Sequence, residues 1–244
     1  MNFAFGKTTP ADGASLCIEA LERDCPAADS LDEYWGNHPV DGLVLDLDQT
    51  LVNDPVRNDK YEGEFWKTFK RSTSGRYARY EGIDKLLELA LPSVVLSNRP
   101  MNAIENILVD SGIGTSRRRD DGSYTDPKAM PMSFPREKVS DAYTASCYKP
   151  SCKGVEKAVE LLKSVGSAGR EGEEMRIIGL GNTWEDMVAY NAAGIQSALA
   201  LWGVPWYLKD DARQHWDVGY VFETPKDFVE FLRGLGAYVG RCHF

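Results

Sequence analysis

Asp46 and Asp48 stand two residues apart, directly after the apolar run Gly42-Leu43-Val44-Leu45. A short apolar run bounded by polar residues reads as a buried strand, which puts both carboxylates at its carboxyl end. In an open parallel sheet that end is where ligands bind. Neighbouring carboxylates titrate as a coupled pair, so one can be charged while the other carries a proton near neutral pH. Two solvated aspartates at a strand terminus are the plainer alternative. Two further apolar runs end in the same way: Val94-Val95-Leu96 leads into Ser97-Asn98-Arg99-Pro100, and Ile177-Ile178-Gly179-Leu180 leads into Gly181-Asn182-Thr183-Trp184-Glu185-Asp186. If these strands neighbour the first, their polar ends converge on Asp46 and Asp48. Lys149 precedes Pro150, and the proline holds it in an extended or turn conformation. Each piece also has a plain reading: Ser97 as a helix cap, Lys149 as a solvated loop lysine, Asn182 and Asp186 as the start of a helix.

The elements that must position these groups follow from hydrophobic periodicity. From Val40 onward the pattern predicts strands at 42–46, 93–97, 175–180 and 196–201, alternating with helices at 82–90, 101–111, 152–163 and 184–193. Such alternation implies an α/β fold, a Rossmann-like doubly wound parallel sheet with right-handed crossovers. Val218 to Phe222 adds a candidate edge strand. Thr224-Pro225-Lys226-Asp227 opens a last helix, with threonine as cap, proline at the first position and an acid three residues after the cap. Residues 166–174, rich in glycine and charge, are the expected flexible connection. Residues 1–38 read as an N-terminal extension with a short amphipathic helix near Ala11 to Arg23, preceding a main domain over 39–244. Gly6-Lys7-Thr8-Thr9 is no phosphate-binding loop, because the glycine expected five residues earlier falls on Met1.

In order and spacing these segments resemble the haloacid dehalogenase-like (HAD) hydrolase superfamily, phosphatase type. The family's Asp-x-Asp-x-Thr stands as Asp46-Leu47-Asp48-Gln49-Thr50, its strand-ending Ser or Thr as Ser97, its Lys before Pro as Lys149, and its Gly-Asp-x-x-x-Asp is similar to Gly181 through Asp186. The resemblance implies a Mg²⁺-dependent phosphomonoesterase acting on a small phosphorylated metabolite through an aspartyl-phosphate intermediate. It casts Asp46 as nucleophile, Asp48 as general acid and base, and Lys149 as a fixed positive charge. Ser97, Asn98 and Lys149 are then the substrate-binding residues, and Asp46, the Asp48 backbone carbonyl, Asn182 and Asp186 the metal ligands. Asn182 departs from the pattern: it offers a neutral carbonyl where the family offers a charge, so metal affinity should fall. A catalytically weak binding or scaffolding protein on the same fold, or a phosphotransferase, are the alternatives.

Composition narrows the partners. A formal net charge of -9 opposes attraction to nucleic acid or anionic membrane, both of which depend on basic surface. No apolar stretch approaches a membrane span, and the N-terminus lacks the order of a secretory signal. Five cysteines at spacings that match no common zinc or disulfide pattern suit a reducing compartment, so a cytoplasmic protein is expected. The oligomeric state is not legible. Substrate choice should lie with a short lid at about 53–80, where Lys67, Lys70 and Arg71 interleave with Trp66 and Phe69, and with a hairpin or loop insert from Gly114 to Arg136.

Overall fold

In the computed structural model the chain is described over residues 40–53, 77–89, 91–136, 142–165 and 175–235. The N-terminal extension, most of the expected lid and the connection at 166–174 lie outside the described residues. Along the chain run β1 (Gly42–Leu45), β2 (Val52–Asn53), β3 (Ala78–Arg79), α1 (Ile83–Leu87), β4 (Ser93–Ser97), α2 (Met101–Asp110) and β5 (Met130–Ser133). There follow α3 (Ala142–Ala145), α4 (Cys152–Val165), β6 (Ile177–Gly181), α5 (Trp184–Ala192), β7 (Gln196–Ala200), α6 (Lys209–His215), β8 (Tyr220–Phe222) and α7 (Pro225–Gly234).

Six strands form one sheet in the order β5-β4-β1-β6-β7-β8, and every pairing in it is parallel. All carboxyl ends therefore share one edge, with β1 central between β4 and β6. The period of two along a strand divides the core into two clusters. Leu43, Leu45, Val95, Ile178 and Leu180 face one side, with Ile104, Leu108, Phe228 and Leu232 from the helices. Val44, Val94, Leu96, Ile177 and Leu199 face the other, with Val155, Ala158, Leu162, Met187 and Tyr190. Strands buried on both faces explain the near-continuous apolar runs. In α4 the buried Val155, Ala158 and Leu162 recur at helical spacing, and burying a leucine of this kind contributes about 1.5–3 kcal/mol.

Two elements depart from the sequence reading. The segment from Gly114 to Arg136 does contain a small hairpin, with Arg118 bridged antiparallel to Tyr124, but its end is strand β5, paired with β4 from Val94↔Met130 to Ser97↔Ser133. Met130-Pro131-Met132-Ser133 carries no β-branched signal, and its proline, lacking an N–H, is tolerated because β5 is an edge. The second is β2–β3, a short antiparallel pair that brings both ends of the expected lid segment together beside the end of β1.

Candidate active site

The parity of β1 continues into Asp46, which shares the side of Val44 and thus the side from which α4 and α5 deliver Lys149 and Asp186. The Asp46 backbone N–H donates to the Leu180 carbonyl at 2.8 Å, so the sheet ladder fixes this residue. Behind it the chain turns sharply. Gln49 lies in the left-handed region at φ 61°, its N–H donates to the Val52 carbonyl at 2.8 Å, and its side chain accepts from the Tyr80 hydroxyl at 2.7 Å. This turn sends Thr50 back toward the strand end.

Lys149 Nζ donates to Asp46 Oδ1 at 2.5 Å and to Asp186 Oδ1 at 2.5 Å. Its backbone is held by Asn98, whose Oδ1 accepts from the Lys149 N–H at 2.9 Å and whose Nδ2 donates to the Lys149 carbonyl at 3.2 Å. Asn98, expected at the substrate, thus uses both ends of its amide to position the lysine. Asp186 is fully buried. Its Oδ2 accepts from the Thr183 N–H at 3.0 Å and the Thr183 hydroxyl at 2.7 Å, the capping box that opens α5. Gly181 permits this approach, because a Cβ there would lie 2.4 Å from the Asp186 Cβ.

Thr50 Oγ1 lies 3.0 Å from Asp46 Oδ2 and 3.2 Å from Asn182 Oδ1. Asn182 Nδ2 donates to the Gly203 carbonyl at 2.9 Å, which orients the amide so that its oxygen faces the Thr50 hydroxyl. Gly203 must be glycine, since a Cβ would meet the Gln49 carbonyl oxygen at 1.7 Å. Ser97 is buried and its Oγ accepts from the Arg99 N–H at 3.2 Å, leaving the hydroxyl proton for another acceptor. Arg99 itself carried no role in the sequence reading. Its Nε donates to Asp48 Oδ2 and its Nη2 to Asp48 Oδ1, both at 2.6 Å, a fork on a carboxylate. An arginine two residues past a strand end was the available signal, and it reads equally well as a solvated helix-cap residue.

Burial pushes the Asp46 carboxyl up to about 7; the Lys149 ammonium pulls the other way, and the like charges of Asp186 and Asp48 add to the rise. For Lys149 burial favours the neutral amine, but Asp186 and Asp46 outweigh it and hold the ammonium above its ordinary value. The two ion pairs at 2.5 Å mark Lys149 as charged. Among the described residues three carboxylates, Asp46, Asp48 and Asp186, face Lys149 and Arg99, and the like charges add to a rise at Asp46 whose largest cause is burial.

The oxygens at this edge suit a hard cation. Asp46 supplies a carboxylate and Asn182 an amide oxygen, both converging on Thr50, and all are hard donors of the kind Mg²⁺ takes. Asp186 contributes less directly, because both its oxygens are engaged by Lys149 and Thr183. Among the described residues no three His, Cys, Asp or Glu side chains form a metal-binding group.

Comparison with solved structures decides the fold. A HAD family hydrolase from Deinococcus radiodurans with bound phosphate and sodium matches with a TM-score of 0.54 at 13% identity, covering 82% of this chain and 98% of the other. The chain has the haloacid dehalogenase-like fold. A conserved haloacid dehalogenase-like protein from Agrobacterium tumefaciens matches with a TM-score of 0.53 at 13% identity, over 81% and 99% of the two chains. A D,D-heptose 1,7-bisphosphate phosphatase from B. bronchiseptica, complexed with magnesium and phosphate, has a TM-score of 0.51 at 14% identity, over 79% and 98%. Neither the family models nor the curated proteins compared with the sequence gave a match. The haloacid dehalogenase-like fold places the ends of β1, β4 and β6 at one edge, where Asp46, Asp48, Ser97, Lys149, Asn182 and Asp186 meet. No helix of the described residues is long and apolar enough to cross a membrane.

Proposed function

We propose that the protein is a Mg²⁺-dependent phosphomonoesterase that acts through an aspartyl-phosphate intermediate on a small phosphorylated metabolite. The observation that carries this reading is the pair of contacts from Lys149 Nζ to Asp46 and Asp186 at 2.5 Å, which fixes a carboxylate and an ammonium at the end of β1. Asp46 attacks phosphorus: its oxygen forms the new P–O bond as the ester P–O bond breaks. Asp48 gives a proton to the departing alkoxide, then takes one from the water that attacks the aspartyl phosphate, and the P–O bond to Asp46 breaks. Ser97 donates its hydroxyl proton to a phosphoryl oxygen and Lys149 balances its charge. Asn98 and Asp186 hold Lys149 in place.

The carboxylates of Asp46, Asp48 and Asp186 at this edge explain the need for a cation, since a phosphate dianion entering such a site meets like charge. Asp46, the Asp48 backbone carbonyl and Asn182 would hold Mg²⁺, which when bound offsets that charge and polarises a phosphoryl oxygen. A second reading, a binding protein with little turnover, draws on Asn182 alone. A screen of phosphate esters with purified protein and Mg²⁺ tests the proposal: hydrolysis that stops on chelation supports it, and no release of phosphate from any ester favours the binding protein.

A further inference from the structure

The Asp48 carboxylate faces away from the work assigned to it. Both its oxygens lie on the Arg99 fork at 2.6 Å, so neither is turned toward a leaving oxygen. To reach an ester, Asp48 must leave the fork, and losing two charge-assisted hydrogen bonds inside the protein is costly unless other oxygens replace them. The fork is the fixed half of the pair. The Arg99 N–H donates to Ser97 Oγ, its carbonyl accepts from the Ser133 hydroxyl, and its guanidinium lies over the Tyr77 ring at 5.6 Å with Nη1 donating to the Tyr77 hydroxyl at 3.3 Å. These contacts leave the Nε and Nη2 edge directed at an anion whichever anion sits there. The side chains of Asp48 and Asp46 are 12% and 9% exposed, against 0% for Asp186, so the Arg99–Asp48 pair lies on the accessible side of the site beside Asp46.

We propose that the Arg99 fork is the seat for a second anionic group of the substrate, and that Asp48 fills this seat until the substrate arrives. The substrate class is then a phosphate ester that also carries a carboxylate or a second phosphate. Exchange of one anion for the other couples recognition to chemistry: a substrate with the second group releases Asp48 to serve as acid, and a substrate without it turns over more slowly. The inference rests on the role given to Asp48 above.

Binding of non-hydrolysable probes tests it without turnover. Calorimetry of the full chain with Mg²⁺ would compare methylphosphonate with phosphonoacetate and 3-phosphonopropionate, which add a carboxylate at two spacings. The wild type is expected to bind at least one carboxylated probe roughly 10- to 100-fold more tightly than methylphosphonate. Arg99→Gln should bring that ratio near one. Asp48→Asn should raise it, because the probe no longer displaces a carboxylate, whereas an ion pair with a purely structural role predicts no gain. This second variant keeps the test open should Arg99→Gln fail to fold. A wild-type ratio near one, or a ratio lowered by Asp48→Asn, overturns the inference while leaving the phosphate site standing. Failure of all three probes to bind overturns the phosphate site itself and this inference with it.

Discussion

At the scale of single residues, Asn182 tests the cation site. Its oxygen faces the Thr50 hydroxyl, which also bonds Asp46, because Nδ2 is tied to Gly203, so an aspartate would present a charge in the same direction. Asn182→Asp is predicted to lower the Mg²⁺ concentration for half-maximal activity by roughly an order of magnitude, since cation affinity follows ligand charge. Asp186→Ala removes a partner of Lys149 and should lower kcat by about 100-fold or more, with a smaller effect on the Mg²⁺ requirement. Metal titrations and rates unchanged by both substitutions would contradict the assignment. The places of Asp46, Asp48, Ser97 and Asn182 just at or after strand ends were legible because each closes an apolar run, and Lys149, in the turn before α4, was marked by the proline that follows it. Arg99 and the positioning role of Asn98 were not, because hydrogen bonds between residues 51 positions apart leave no local pattern.

At the scale of elements, the turn from β6 into α5 sets the Lys149 position through close packing. Gly181→Ala would place a Cβ 2.4 Å from the Asp186 Cβ, against backbone-anchored neighbours, so α5 or its first turn must move. The predicted cost is roughly 1–3 kcal/mol of stability, together with a lower kcat, measured by denaturant unfolding and initial rates. A variant of full stability and full activity would refute this packing. The strands β1, β4, β6 and β7 were readable because both faces are buried, and α7 because Thr224 and Asp227 form its capping box with Pro225 at the first position. Strand β5 was not, since Met130 to Ser133 owes its place to pairing with β4 and not to its own propensity. Helix α6, seven residues long with a single buried residue, Ala212, is too short to show a helical period.

At the scale of the whole molecule, one sheet serves two cores. Leu45 belongs to one cluster and Leu162 to the other, each fully buried, and the strands between them are shared. Leu45→Ala and Leu162→Ala are each predicted to cost about 2–5 kcal/mol and to shift a single cooperative unfolding transition. Two separable transitions in either variant would show that the faces fold independently. The α/β class was legible from the alternation of apolar runs and amphipathic helices, whereas the strand order was not, because crossovers with β1 at the centre depend on which runs pair and not on their sequence.

The account turns on Asp46 as the nucleophile. Initial rates of aryl phosphate hydrolysis with Mg²⁺, for wild type and Asp46→Asn, test this most directly, with thermal unfolding alongside to confirm that both are folded. The predicted result is Mg²⁺-dependent turnover by the wild type and a loss of roughly 10³-fold or more in the variant, because an amide cannot form the acyl phosphate. Turnover by Asp46→Asn near the wild-type rate would contradict the account.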